Sequence, residues 1–151
     1  MYKFIIHTEP KTKKNSRPIY RNKATGKTFL GKSKDLVNAE TITCNALKEQ
    51  KQVLGITEPL KGKLFSHLVF YKSTKRRCDM SNLVELANDC MQSTEVIGND
   101  DQFVFTITEK FIDKNDPRTE IVIGDISEAR LYIDLNVHPE NYLKKKLNGI
   151  S

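Results

Sequence analysis

Apolar residues recur at helical spacing in two stretches of the chain. Between 80 and 93, Met80, Leu83, Val84, Ala87, Cys90 and Met91 fall at i, i+3, i+4, i+7, i+10 and i+11, which predicts an amphipathic helix. From about Lys34 to Leu54 the same period is carried by Leu36, Ala39, Ile42, Ala46, Leu47, Val53 and Leu54. Ser33 is placed to cap the start of that helix and Gly55 its end. Residues 63–72 are apolar on both alternating faces, the pattern of a central strand covered on two sides. Residues 103–111 alternate, with Phe103, Phe105, Ile107 and Phe111 on one face and Val104, Thr106 and Thr108 on the other. A polar turn at 114–118 and a further strand at 120–126 make residues 103–126 read as an antiparallel hairpin. Residues 2–7 predict a short strand. In the tail, Ala129, Leu131, Ile133 and Leu135 alternate like a strand, and Pro139 with Tyr142, Leu143 and Leu147 predicts a short helix.

These elements predict an α+β fold: one domain, with a mixed sheet packed against two main helices. The length, 151 residues, fits one domain large enough to bury its own core. No apolar run reaches the roughly 18 residues of a membrane span, and the N-terminal strand is too soon followed by charge to read as a secretory leader. Three cysteines, Cys44, Cys78 and Cys90, and three scattered histidines offer neither a disulfide framework nor zinc-ligand spacing. The expectation is a cytoplasmic, reduced protein with no membrane association and no small-molecule cofactor.

Charge is the first feature that speaks to function. Residues 1–77 hold 18 Lys and Arg against 5 Asp and Glu, whereas residues 78–151 hold 7 against 14, for a net +6. Between 10 and 34 there are nine basic residues and no acid. That stretch reads as a long basic loop with a hairpin centred on Ala24-Thr25-Gly26, tethered by Tyr20 and Phe29. Such asymmetry points to a polyanionic partner. Lys11, Lys13, Lys14, Arg17, Arg21 and Lys27, with Lys75, Arg76 and Arg77 further on, are the candidates for phosphate contacts.

Carboxylates sit where a simple DNA-binding protein would avoid them. Asp79 follows Lys75-Arg76-Arg77 directly, at the start of the second helix, and Asp100 and Asp101 lie in the turn 97–102 after it. Acids beside phosphate-binding cations are what a magnesium site requires, and the expectation is that the chain after the helix folds back to bring Asp100 to Asp79. Taken singly, Asp79 also reads as a helix cap and Asp100-Asp101 as a solvated turn.

The run Arg76-Arg77-Cys78-Asp79-Met80-Ser81-Asn82-Leu83, the helix, and Ile97-Gly98-Asn99-Asp100-Asp101-Gln102 resemble the core of the RusA family of Holliday-junction resolvases. The basic segment before the first helix and Pro117-Arg118-Thr119-Glu120-Ile121 also resemble the family. The resemblance covers about residues 2–126, leaving 127–151 as a C-terminal extension. It implies a homodimeric endonuclease, dependent on Mg²⁺ (with Mn²⁺ as a substitute), that nicks symmetric strands of a four-way DNA junction. It assigns Asp79 and Asp100 to metal binding and catalysis, with Asp101 beside them. Two positions depart from the family pattern. Ser81 stands where the family has a second Asp, and Glu85 where a family member carries a Lys. Ser81 and Glu85 are i and i+4 on one helix face, so Glu85 is the candidate replacement carboxylate and Ser81 a holder of a metal-bound water. The alternatives are a catalytically weakened protein that binds branched DNA, and a basic RNA-binding or architectural module.

Overall fold

The computed structural model describes residues 1–12 and 18–137. Strands β1 (Tyr2–Ile6), β4 (Leu64–Lys72), β5 (Phe103–Ile112) and β6 (Arg118–Asp125) form a mixed sheet in the order β1-β6-β4-β5. Strands β2 (Ile19–Arg21) and β3 (Thr28–Leu30) pair separately, Tyr20 opposite Phe29. The helices are α1 (Lys34–Val53), α2 (Met80–Ser93) and α3 (Ala129–Asn136).

The two long helices begin and end where their sequences predict. Ser33 accepts a bond from the Leu36 N–H at 3.2 Å, capping α1. Gly55 adopts φ +69°, and bonds from Gly55 N to Gln52 O and from Ile56 N to Lys51 O close the other end. That left-handed turn is open to glycine without steric cost, the arrangement of a Schellman cap. The buried side of α1 is Leu36, Ala39, Thr43 and Leu47, and that of α2 includes Leu83, Leu86, Ala87, Cys90 and Met91.

Both helices pack on one face of the sheet. Phe4, Ile6, Leu68, Phe70, Ile121 and Ile123 meet Leu36, Leu47, Leu83 and Met91 there, all no more than 2% exposed. Every residue of β4 is buried, as a central strand requires. Its other face is covered in part by α3, whose Tyr132 ring lies 5.2 Å from that of Phe65. Tyr132 also bonds to His67 Nδ1 at 2.9 Å, while Glu109 meets His67 Nε2 at 3.1 Å.

Two sequence expectations fail. Residues 103–126 are not a hairpin: β5 runs parallel to one side of β4 and β6 antiparallel to the other. The five residues 113–117 cross the end of β4, where Asp113 N donates to Lys72 O at 2.8 Å. Arg118 fixes the crossing by bonding to Asp113 and Glu120, with its guanidinium 3.7 Å above the Tyr71 ring. Alternation defines a strand's faces but not its neighbour, and a short loop can span the roughly 10 Å across one intervening strand. The stretch Ala129–Asn136 is a helix rather than a strand. Asp125 caps a 3₁₀ turn, with Glu128 reciprocating, and launches the chain into α3. Its inward residues are Ala129, Tyr132 and Ile133, at helical spacing, while Leu131 and Leu135 stay exposed. The helix expected from Pro139 lies outside the described residues.

Candidate functional site

Asp79 occupies the N-cap position of α2, yet its carboxylate makes no capping bond to the helix backbone. It accepts instead from the side chain of Asn82, at 3.3 Å. Asn82 is buried, and Leu83, next to it, is in the core. The Asp-x-x-Asn-Leu spacing therefore has a physical meaning: leucine seats the first turn, asparagine turns back toward the aspartate, and the aspartate faces solvent.

Asp100 and Asp101 are exposed on a 3₁₀ turn built around Gln102. The Gln102 side-chain oxygen accepts from Gly98 N at 2.8 Å and Asn99 N at 3.0 Å. Its amide nitrogen donates to Leu60 O at 2.9 Å and Gly62 O at 3.2 Å. One side chain thus pins the acidic turn to the segment leading into β4.

Within one chain Asp100 does not approach Asp79. Because β4 and β5 are parallel, α2 carries the chain back along the sheet between them. Asp79 lies at the end where β4 finishes, and Asp100 and Asp101 lie where β5 starts. The 14-residue helix between them spans about 21 Å. Among the described residues no group of three or more His, Cys, Asp or Glu gathers closely enough to hold a metal ion. Ser81 is exposed and Glu85 half-buried, one turn apart on α2, with Glu85 about 9 Å along the axis from Asp79.

The cations are distributed over two places. Lys11, Arg76 and Arg77 line a cleft of about 270 Å³ beside the start of α2. Lys75 is exposed on the same loop. Arg21 and Lys27 are exposed on the β2–β3 hairpin, where Arg21 bonds back to Gly26 O at 3.3 Å. Lys13, Lys14 and Arg17 lie outside the described residues. Tyr20 and Phe29 stack on one another, ring centroids 5.8 Å apart, and both are exposed.

Four polar residues of this region carry no periodic signal for the contacts they make. Gln102 is one. Lys110, near the end of β5, donates to Cys78 O at 3.1 Å and so brings a cation to the residue preceding Asp79. Glu9 and Lys72 form an ion pair at 2.9 Å on the wall of the basic cleft. Burial opposes ionisation of Glu9, but bonds from Lys72 and Ser73 outweigh it and hold the carboxyl below its ordinary range.

A basic cleft, a solvent-facing aspartate at the start of α2 and an aspartate pair at the foot of β5 all lie in the part of the chain that one family model matches. That model, endodeoxyribonuclease RusA, matches residues 7–124. The chain belongs to the RusA family. RusA proteins are endodeoxyribonucleases that resolve Holliday junctions, and they are generally divalent-metal dependent. No curated protein matches the chain. In RusA terms the matched segment runs from the end of β1 to β6, so it contains the cleft, α2 and the acidic turn.

Proposed function

We propose that this RusA protein is a Mg²⁺-dependent, structure-selective endonuclease that acts as a homodimer and cuts four-way DNA junctions by paired nicks. The observation that carries this reading is the solvent-facing Asp79 carboxylate, held by Asn82 beside a cleft whose cations Lys11, Arg76 and Arg77 have no partner among the described residues. Residues 1–126 are the nuclease unit in this reading and 127–151 an addition to it.

The distance between Asp79 and Asp100 argues that each site takes residues from two chains. Strand β5 is one of the two outer strands of the sheet, and Val104 and Phe105 on it are 52% and 42% exposed. Two β5 strands paired antiparallel about a two-fold axis bring Asp100 of the partner subunit to the end of β5 where Lys110 and Asp79 lie. Asp79 with Asp100 and Asp101 of the partner subunit supply hard oxygen ligands suited to magnesium. When bound, the ion supplies an activated water and neutralises charge on the phosphate. Lys11, Arg76 and Arg77 bind the DNA backbone, Asn82 orients Asp79, Gln102 presents the acidic turn, and Lys110 adds positive charge near the scissile position.

The test is cleavage of a labelled synthetic four-way junction, beside matched duplex and single strand, with Mg²⁺ and with chelator. Paired, metal-dependent nicks that vanish in Asp79→Asn support the reading. Tight junction binding without cuts favours a weakened branched-DNA binding protein, for which Ser81→Asp is the restoring change. Absence of any junction preference refutes both.

A further inference from the structure

We propose that the Glu9–Lys72 pair is a clasp that assembles a binding cleft for one DNA backbone phosphate, with Lys11 on one wall and Arg76 and Arg77 on the other. The proposal rests on the nuclease reading for its ligand, a phosphodiester, but not for its geometry.

The two walls come from distant parts of the chain. One is the segment 9–12 that follows β1; the other is the loop 73–78 that follows β4. Lys72 ends β4, is 8% exposed, and spends its charge internally. Its ammonium donates to Pro10 O at 2.9 Å and pairs with Glu9 Oε1 at 2.9 Å. The second carboxylate oxygen of Glu9 accepts from Ser73 N, again at 2.9 Å. Three interactions therefore bind one wall to the other at the base of the cleft.

Lys72 is thus a positioning residue rather than a phosphate ligand. The cations at the rim are in the opposite condition. Lys11, Arg76 and Arg77 make no hydrogen bond or ion pair with any other described residue, so their charges face the cleft uncompensated. The cleft volume, about 270 Å³, accommodates a phosphate with its hydration. An arginine beside such a space offers a fork of donors matched to phosphate oxygens. The loop carrying this wall runs straight into Asp79, so a phosphate held here fixes the strand next to the candidate catalytic carboxylate.

The experiment removes the clasp without changing net charge. The full-length wild type and the double variant Glu9→Gln/Lys72→Met are titrated onto labelled linear duplex and four-way junction, in chelator, over a salt series. With one cleft in each subunit of the dimer, loss of both phosphate contacts is expected to make the log–log salt slope shallower by about 1.8, about 0.9 for each, and to weaken binding about tenfold per contact. An unchanged slope in a variant that melts cooperatively overturns the proposal. Because Lys72 is buried, a second set uses side chains at the rim that make no bond to other described residues: Lys11→Gln, Arg77→Gln and their combination. Sharing one phosphate predicts that the two changes combine less than additively in log Kd, and strict additivity overturns the proposal. The duplex arm needs neither cutting nor junction preference. A wild type that ignores junctions while the duplex slope still falls in the variant supports the cleft and sinks the nuclease reading. Junction cleavage with an unchanged slope does the reverse.

Discussion

Mixing two inactive variants tests where the metal ligands come from. Carboxylates sharing one magnesium place their oxygens about 2.1 Å from the ion and hence about 3 Å from each other. In one chain Asp79 and Asp100 are held apart by α2, about 21 Å long for its 14 residues. No side-chain rotation closes that gap. Asp79→Asn and the double variant Asp100→Asn/Asp101→Asn are each expected to lose cleavage. In a mixed dimer with sites shared across the two-fold, one site combines both damaged parts and the other is intact. Random exchange makes about half the dimers mixed, so the nicking rate is expected to recover to roughly a quarter of wild type. The products should be single nicks, because one intact site cannot make paired cuts. The assay is a labelled junction with subunits exchanged by co-expression, scored separately for nicks and resolved products. A mixture as inactive as its components refutes the shared site.

Further outcomes follow from particular contacts. Lys110→Met is expected to lower the cleavage rate at saturating junction by at least about tenfold with little change in Kd, measured by single-turnover kinetics, if its charge acts near the scissile phosphate. Ser81→Asp is expected to lower the magnesium concentration needed for half-maximal cleavage, and Glu85→Gln to raise it; an unchanged metal titration removes Glu85 from the site. Glu9, Asp113 and Glu120 have their carboxyls held below the ordinary range by partners that favour the charged form. The folded state then binds fewer protons than the unfolded chain, so their stabilisation is present above about pH 4.5 and is lost in thermal melts as acid passes below it, less steeply in Glu9→Gln. Tyr71 and Tyr132, pushed up to about 12 chiefly by burial, should titrate late in an ultraviolet alkaline titration. Gly124→Ala, whose methyl would lie 2.5 Å from the Phe65 ring, is expected to cost about 1–3 kcal/mol in denaturant unfolding.

Legibility in the sequence followed the range of the cause. The period of α2, the caps of α1, the two-sided β4 and the turn at Thr25-Gly26 are local signals, and each element appears where its residues place it. The partner of a strand is not local. Residues 103–112 and 118–125 have the faces of a hairpin, yet β4 lies between them, because the crossing of 113–117 is held by Arg118 and Tyr71 rather than by a turn type. The tail misled for a different reason: Leu131 and Leu135 mimic alternation while lying on the exposed side of α3. At the site, Asp79, Asn82, Asp100 and the basic cluster were legible as a motif. Their separation along α2 was not, since it follows from the parallel pairing of β4 with β5. Gln102 had a detectable signal, as the third residue of a capping box opened by Asn99. Glu9, Lys72 and Lys110 had none, because an isolated charge acquires its role from a partner tens of residues away.

The pairing of β1 with β6 sets the order in which this molecule can come into being. Residues 2–6 find their sheet partners at 119–123, near the far end of the described chain. The unit β4–α2–β5 can form from sequential contacts, but the N-terminal strand has no strand to pair with until β6 has been made. Before then α1 can hold β1 through the Gln50 side chain, which bonds to both Ile5 N and Ile5 O, and Lys72 can hold segment 9–12 through Glu9 and Pro10. A chain still being synthesised can therefore tether its basic segment to β4 first, and closes its sheet only when β6 supplies the pairings of high sequence separation.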